Sequence, residues 1–113
     1  MQALVMVLNK VDYLESILKE FMNSGVRGAT VIDSTGMVRI LNETDTSDVP
    51  IFGTIKMLLN ESYPYNKTIF VVLEDEQVDA AIDAVKKVAG EDLKPIVGIL
   101  FTVPVSRVEG ITR

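Results

Sequence analysis

A chain of 113 residues, 48% of them apolar and 24% charged, has the size and composition of one folded domain. It contains no cysteine and no histidine, which excludes disulfides, thiol nucleophiles, Ser-His-Asp triads and almost all zinc sites. The net charge is -5 and no basic run is longer than Lys86-Lys87, which argues against binding to nucleic-acid phosphates.

The chain begins with the pattern of a strand and then of a helix. Residues 3–8 form a continuous apolar run, which is typical of a buried strand. Asp12 and Glu15 have the spacing of a capping box, and apolar residues at helical spacing follow as far as Phe21. Gly25 is a natural stop for this helix, because glycine adopts the left-handed C-terminal conformation at little cost. A β-α unit is therefore expected here.

A second strand and a variable segment come next. Residues 29–34 are rich in β-branched side chains and predict a strand, which residues 37–41 are expected to continue. Residues 42–50 are polar and predict an exposed loop. Residues 51–59 carry an apolar helical stripe, namely Ile51, Ile55, Leu58 and Leu59. Two interpretations of this stripe stay open: a helix that docks on a partner, or a short helix that packs on its own oligomer.

The second half of the chain repeats the pattern of the first. Residues 68–73 predict a third strand, and Asp75 is placed to cap a helix that ends at Gly90. The apolar stripe of that helix is Val78, Ala81, Ile82, Val85 and Val88. Residues 96–103 predict a fourth strand. Pro104 cannot donate a backbone hydrogen bond and therefore belongs at a strand end or edge.

The element order β-α-β-β-α-β predicts an α+β, ferredoxin-like fold, with two helices on one face of an antiparallel sheet. Apolar residues nevertheless occupy both alternating sets of positions in three of the strands, at residues 4–8, 69–73 and 99–103. Because the helices cover only one face, the other apolar face is expected to be buried against further copies of the chain. A closed ring of identical subunits would satisfy this pattern.

Three segments resemble one protein family. Residues 24–31, SGVRGATV, are similar to the helix-to-strand passage of PII nitrogen-regulatory proteins, commonly G-[IV]-x-G-[ML]-T-V. Residues 69–88 resemble a strand, acidic turn and second helix of that family, and residues 98–108 resemble its fourth strand and the start of its C-terminal loop. The resemblance implies one PII-like domain over residues 1–113, with a variable loop at about residues 40–65.

What the resemblance implies is a homotrimeric, cytoplasmic signalling protein rather than an enzyme. In this family the sheets line the trimer centre, ATP or ADP binds in clefts between subunits, and a mobile loop, here residues 40–65, contacts a protein target. The positions that match family residues near the cleft are Thr30, Gly36, Arg39, Gly98 and Arg107. Ordinary alternatives stay open at each of them: a strand residue, backbone geometry for the glycines, and surface charge for the arginines.

Several positions depart from the family pattern. The usual lysine of the last strand would fall at Ile99, and two phosphate-binding arginines near the C terminus would fall at Gly110 and Thr112. A glutamine that assists binding of Mg-ATP and 2-oxoglutarate would fall at Ile40, and a glycine before it at Val38. Because a triphosphate needs cations or backbone N–H groups, we expect no required cofactor, with ATP or ADP as candidate ligands.

Two alternative functions remain from the sequence. One is a trimeric protein-interaction module that has lost nucleotide sensing, and the other is a CutA-like metal-handling protein. The lack of histidine and cysteine argues against the second, because soft metals favour those ligands. Acidic residues near the second helix are expected to cap and solvate it: Glu74, Asp75, Glu76, Asp79 and Asp83. We therefore expect no metal site, no nucleic-acid partner and no membrane insertion.

Overall fold

A computed structural model describes residues 1–43 and 65–111 of the chain, and in these ranges four strands form one antiparallel sheet. The strands are β1 (Gln2–Leu8), β2 (Thr30–Ser34), β3 (Asn66–Leu73) and β4 (Gly98–Pro104). The helices are α1 (Leu14–Asn23), α2 (Met37–Glu43) and α3 (Asp75–Ala89), with a 3-10 turn at Val11–Tyr13 before α1. The strand order is β2-β3-β1-β4. The predicted α+β, ferredoxin-like fold is confirmed.

The central strand β1 fixes the register of the sheet. Val5 lies opposite Phe70 of β3 on one side and Phe101 of β4 on the other, so these three side chains share a face. On the far side of β3, Phe70 lies opposite Thr30 of β2. Strands β2 and β4 are the two edges, and Pro104 is the last residue of edge strand β4, where its missing N–H is tolerated.

The core lies between the sheet and helices α1 and α3. Its strand side chains alternate with those of the opposite face: Leu4, Met6, Leu8, Ile69, Val71 and Leu73. The helices contribute Ile17, Phe21, Val78, Ala81, Ala84 and Val85. Each fully buried aliphatic or aromatic side chain stabilises the fold by about 1.5–3 kcal/mol relative to an exposed one. The apolar stripe predicted for the helix that is now α3 therefore faces the core, as expected.

The predicted end of α1 is correct, but its predicted start is not. The chain first makes a 3-10 turn, in which the N–H of Tyr13 donates to the carbonyl of Lys10 (3.1 Å). Tyr13 is therefore the N-cap, without a side-chain cap, and the predicted cap at Asp12 is wrong. The stop at Gly25 is confirmed (φ 81°), because the N–H of Val26 donates to the carbonyl of Phe21 (2.8 Å) in a Schellman motif.

Helix α3 is capped by Glu74 and not, as predicted, by Asp75. The backbone N–H of Glu74 donates to Oε1 of Gln77 (3.0 Å), which is the return bond of a capping box. Asp75 instead accepts a hydrogen bond from the side-chain amide of Gln2 (3.2 Å) and pairs with the N-terminal ammonium of Met1 (3.2 Å). The cap is displaced by one residue because Glu74 holds the extended backbone that an N-cap requires.

Residues 37–41 do not continue the second strand. They lie in α2, and the N–H of Ile40 donates to the carbonyl of Gly36 (3.1 Å) at its start. A short apolar run fits a strand or a helix equally well, so its periodicity could not decide. The predicted helix at residues 51–59 lies outside the described residues, as does most of the predicted loop at 42–50. None of the described helices is long and apolar enough to cross a membrane.

Candidate functional site

The face of the sheet opposite the helices, called here the open face, is mostly apolar. Its side chains form two rows across the strands, Phe101–Val5–Phe70–Thr30 and Ile99–Val7–Thr68–Ile32. Ile99 is 59% exposed, Ile32 48% and Phe101 44%. Contiguous apolar patches of this kind mark interaction surfaces, so the open face is the first candidate site of the chain.

A second feature surrounds Thr30, the first residue of β2. The segment after β4 is tied to the start of β1 by a hydrogen bond from the N–H of Val105 to the carbonyl of Met1 (3.0 Å). Farther along, Gly110 and Ile111 join Thr30 in lining a cavity of about 430 Å³, called here the tail cavity. Its other walls are Arg27, Gly28, Phe70, Val71 and Val72. The structure thus places Thr30 beside the C-terminal tail.

Arg27 also lines a neighbouring cavity of about 490 Å³, called here the acidic cavity. Glu74 and Glu76 belong to its wall, and Val72 and Ile111 are shared with the tail cavity. Arg27 is exposed and makes no ion pair with any described residue. The sequence prediction did not select Arg27. Its position between two nearby glycines, Gly25 and Gly28, is the sequence signal that could have singled it out.

Gly36 and Arg39 lie at the other end of β2. The guanidinium carbon of Arg39, on α2, lies over the ring of Tyr65, 3.8 Å from its centroid. Tyr65 also lines a cavity of about 320 Å³, here the stem cavity, together with Asp33, Ser34, Thr35 and Lys67. Lys67 is ion-paired with Asp33 across the β2–β3 ladder. The structure therefore pairs Arg39 with an aromatic ring next to a small polar cavity.

Gly98 lies at the first position of β4, and its backbone approaches β1 closely. A Cβ atom at this position would come within 2.5 Å of the carbonyl oxygen of Val7, which is closer than van der Waals contact allows. Glycine is therefore required here for the strand to pack, as the geometric alternative predicted. The next residue, Ile99, presents an exposed apolar side chain at the position where the resemblance placed a lysine.

Arg107 lies in the tail after β4. Its side chain is 80% exposed and is paired with Glu109 (3.1 Å). A pair this exposed contributes at most about 1 kcal/mol to stability and can exchange for another anion. Within one copy of the chain, Arg107 is therefore an ordinary surface arginine.

The five predicted site residues occupy separate places in one copy of the chain. Thr30 lies with the tail at one end of the sheet, whereas Gly36 and Arg39 follow the opposite end of β2. Gly98 is at that opposite end but on the other edge strand, which three strand spacings put about 14 Å from β2. A single copy does not bring these five residues together.

The acidic residues at the start of α3 have local roles. Glu74 is the N-cap, and Asp75 binds the amide of Gln2 and the N-terminal ammonium. The amide and, after it, the ammonium hold the pKa of Asp75 below its ordinary value of 3.8. Among residues 1–43 and 65–111, no three carboxylates are grouped so that they could hold a metal ion.

The chain matches a known protein family. A family model described as nitrogen regulatory protein P-II matches residues 1–113, which is the whole chain. The search of curated proteins found no match. The four-stranded antiparallel sheet, with its two long helices on one face, is consistent with the ferredoxin-like fold of that family.

Proposed function

This chain belongs to the nitrogen regulatory protein P-II family, and from that premise we propose that it is a homotrimeric regulator. Proteins of this family regulate other proteins rather than catalyse reactions, and they are typically trimeric. In this proposal the trimer is cytoplasmic and presents residues 40–65 to a protein target. An adenine nucleotide bound between subunits controls that presentation.

The open face is the observation that carries the proposal. Its exposed side chains include Phe70, Phe101, Ile99 and Ile32, and Val5 and Val7 lie between them on β1. Burial of one such side chain contributes about 1.5–3 kcal/mol, so exposure of the whole face to water is unfavourable. Three sheets that turn this face toward a common axis remove it from water in a closed assembly.

The separation of the predicted site residues supports a cleft between subunits. Thr30 and the tail would form one wall, and Gly36, Arg39 and Gly98 of an adjacent copy would contribute the other. In a ring assembly each interface joins different surfaces of two identical copies, and in this proposal those surfaces are the two ends of the sheet. The cleft residues therefore remain Thr30, Gly36, Arg39, Gly98 and Arg107 in this proposal.

A mixing experiment tests whether the cleft lies between subunits. Thr30→Trp fills one wall and Arg39→Glu reverses the charge of the other, so each variant alone should fail to bind AMP, ADP or ATP. In a mixed trimer, one interface joins the intact Thr30 wall of an Arg39→Glu copy to the intact Arg39 wall of a Thr30→Trp copy. Refolding the two variants together should restore binding at one site per mixed trimer, measured by calorimetry. If mixing restores no binding although the wild type binds, the intersubunit cleft is wrong.

The second candidate is a trimeric interaction module without nucleotide sensing. It is favoured by the exposed Ile99 in place of the family's lysine and by the pairing of Arg107 with Glu109. In this case the trimer forms and no adenine nucleotide binds the wild-type protein. The same calorimetric titration of the wild type therefore separates the two candidates.

A further inference from the structure

Arg27 lies at the wall that the tail cavity and the acidic cavity share. We propose that Arg27 binds the phosphate of a nucleoside monophosphate, so that the cleft takes a ligand with one phosphate rather than three. This inference rests on the proposed function, because it names the ligand class of the same cleft. It adds a residue that neither the sequence prediction nor the family match selects.

The tail cavity has the polarity of a nucleoside monophosphate site. Phe70, Val72 and Ile111 supply apolar wall, Thr30 supplies a hydroxyl, and Arg27 supplies the cation. A guanidinium binds a phosphate through two parallel N–H donors, whereas a purine ring packs on apolar surface. The volume of about 430 Å³ lies in the range of small-molecule pockets, roughly 300–1,000 Å³.

The backbone on both sides of Arg27 leaves space for a ligand. Gly25 has φ 81° and Gly28 has φ 79°, conformations that residues with a Cβ rarely adopt. No atom lies within 4 Å of where a Cβ would stand at either glycine. The Arg27 side chain is exposed and makes no ion pair within the described part of the chain, so it can turn to a phosphate without breaking one.

A longer phosphate chain meets unfavourable charge beyond Arg27. The acidic cavity continues from the same residue, and Glu74 and Glu76 are on its wall. Met1 also lines it, and its ammonium is paired with Asp75 (3.2 Å). Each added phosphate brings negative charge close to these carboxylates, and like charges at short range repel in proportion to their charge. One arginine can offset a monophosphate but not a triphosphate in the presence of two carboxylates.

The other described cations near the proposed cleft already have partners. Lys67 is paired with Asp33, Arg107 with Glu109, and Arg39 stacks on Tyr65. The Met1 ammonium, on the wall of the acidic cavity, is paired with Asp75. Ile99, beside Gly98, presents an exposed apolar side chain at the position where the resemblance placed a lysine. A triphosphate would have to recruit further cations from these contacts, whereas a single phosphate needs no direct cation partner other than Arg27.

Calorimetric titration of the full-length protein in its native assembly tests the inference. The probes are adenosine, AMP, ADP and ATP, each without magnesium and again with it. AMP should bind at least tenfold more tightly than ATP. Arg27→Ala should weaken AMP at least tenfold and leave adenosine within threefold of the wild type. Lys94→Ala removes an exposed cation that lines none of the three cavities, and AMP binding should be unchanged.

Each of the other outcomes overturns one named part of the proposal. Tighter binding of ATP than of AMP overturns the monophosphate class and leaves nucleotide control in place. AMP binding that is the same in Arg27→Ala as in the wild type overturns the role of Arg27. Failure of all four probes overturns this inference together with nucleotide control, and leaves the interaction module. Circular dichroism of Arg27→Ala confirms that a loss of binding is not a loss of fold.

Discussion

The guanidinium carbon of Arg39 lies 3.8 Å from the centre of the Tyr65 ring, so a cation–π contact joins α2 to the start of β3. The two residues stand on either side of residues 44–64 in the sequence, and Tyr65 also lines the stem cavity. Arg39 was selected from the sequence as a cleft residue. Any ligand that recruits its guanidinium must compete with this ring, which links the proposed cleft to the base of the variable segment.

Replacing Tyr65 by leucine should therefore destabilise the protein, whereas phenylalanine should be tolerated because it keeps the aromatic ring. The expected loss in the free energy of unfolding is about 0.5–1 kcal/mol for a contact at a partly exposed site. Urea denaturation of single and double variants with Arg39→Ala should give a coupling energy of that size. A coupling energy of zero would show that the ring and the guanidinium act independently.

Gly98→Ala is expected to be costly. The new Cβ would stand 2.5 Å from the carbonyl oxygen of Val7, so β4 must move away from β1. Overpacking of this kind costs about 1–3 kcal/mol of stability. Gly36→Ala is the matched control, because the nearest atom to its Cβ would be 3.6 Å away. Equal midpoints for the two variants in thermal denaturation would contradict the close approach at Gly98.

The stability of the protein should depend on Asp75 in a defined pH range. The amide of Gln2, and after it the ammonium of Met1, lower the pKa of Asp75 in the folded state below 3.8. The folded state thus favours the charged carboxylate, and the stabilisation is present above the unfolded pKa and lost as the pH falls through the folded pKa. Asp75→Asn should be less stable than the wild type at pH 7.

The difference between Asp75→Asn and the wild type should shrink as the pH falls below about 4, because the wild type then loses the same charge. Urea denaturation of both proteins at several pH values measures it. Gln2→Leu should reduce the difference at neutral pH, because it removes the largest cause of the lowered pKa. A difference that stays constant from neutral pH to pH values below about 3 would contradict this assignment.

Much of the fold could be predicted because its strongest patterns are local. The apolar run of β1, the helical stripe of α3 and the glycine stop at Gly25 each follow from residues within one element. Short segments at element ends could not be decided in the same way. At residues 37–41 and at Asp12, a local pattern fits two conformations and does not decide between them.

The site was harder to predict, because its parts are assembled by strand register and not by sequence spacing. Thr30 meets Gly110 and Ile111 only because the tail crosses from β4 to the start of β2. Arg27 was missed for a similar reason: Gly25 and Gly28 flank it in the sequence, but nothing in that segment shows that Glu74 and Glu76 line the next cavity. A periodic pattern contains no information on such contacts.

The most direct test of the central claim, that the open face is buried in a homotrimer, is the molar mass of the protein in solution. Sedimentation equilibrium at micromolar concentration should give about three times the 12.4 kDa of one chain. Phe101→Glu, on the open face, should dissociate the assembly, whereas Met22→Glu, on an exposed residue of α1, should leave it intact. A wild-type mass of 12.4 kDa, or a trimer that Phe101→Glu leaves unchanged, would contradict the claim.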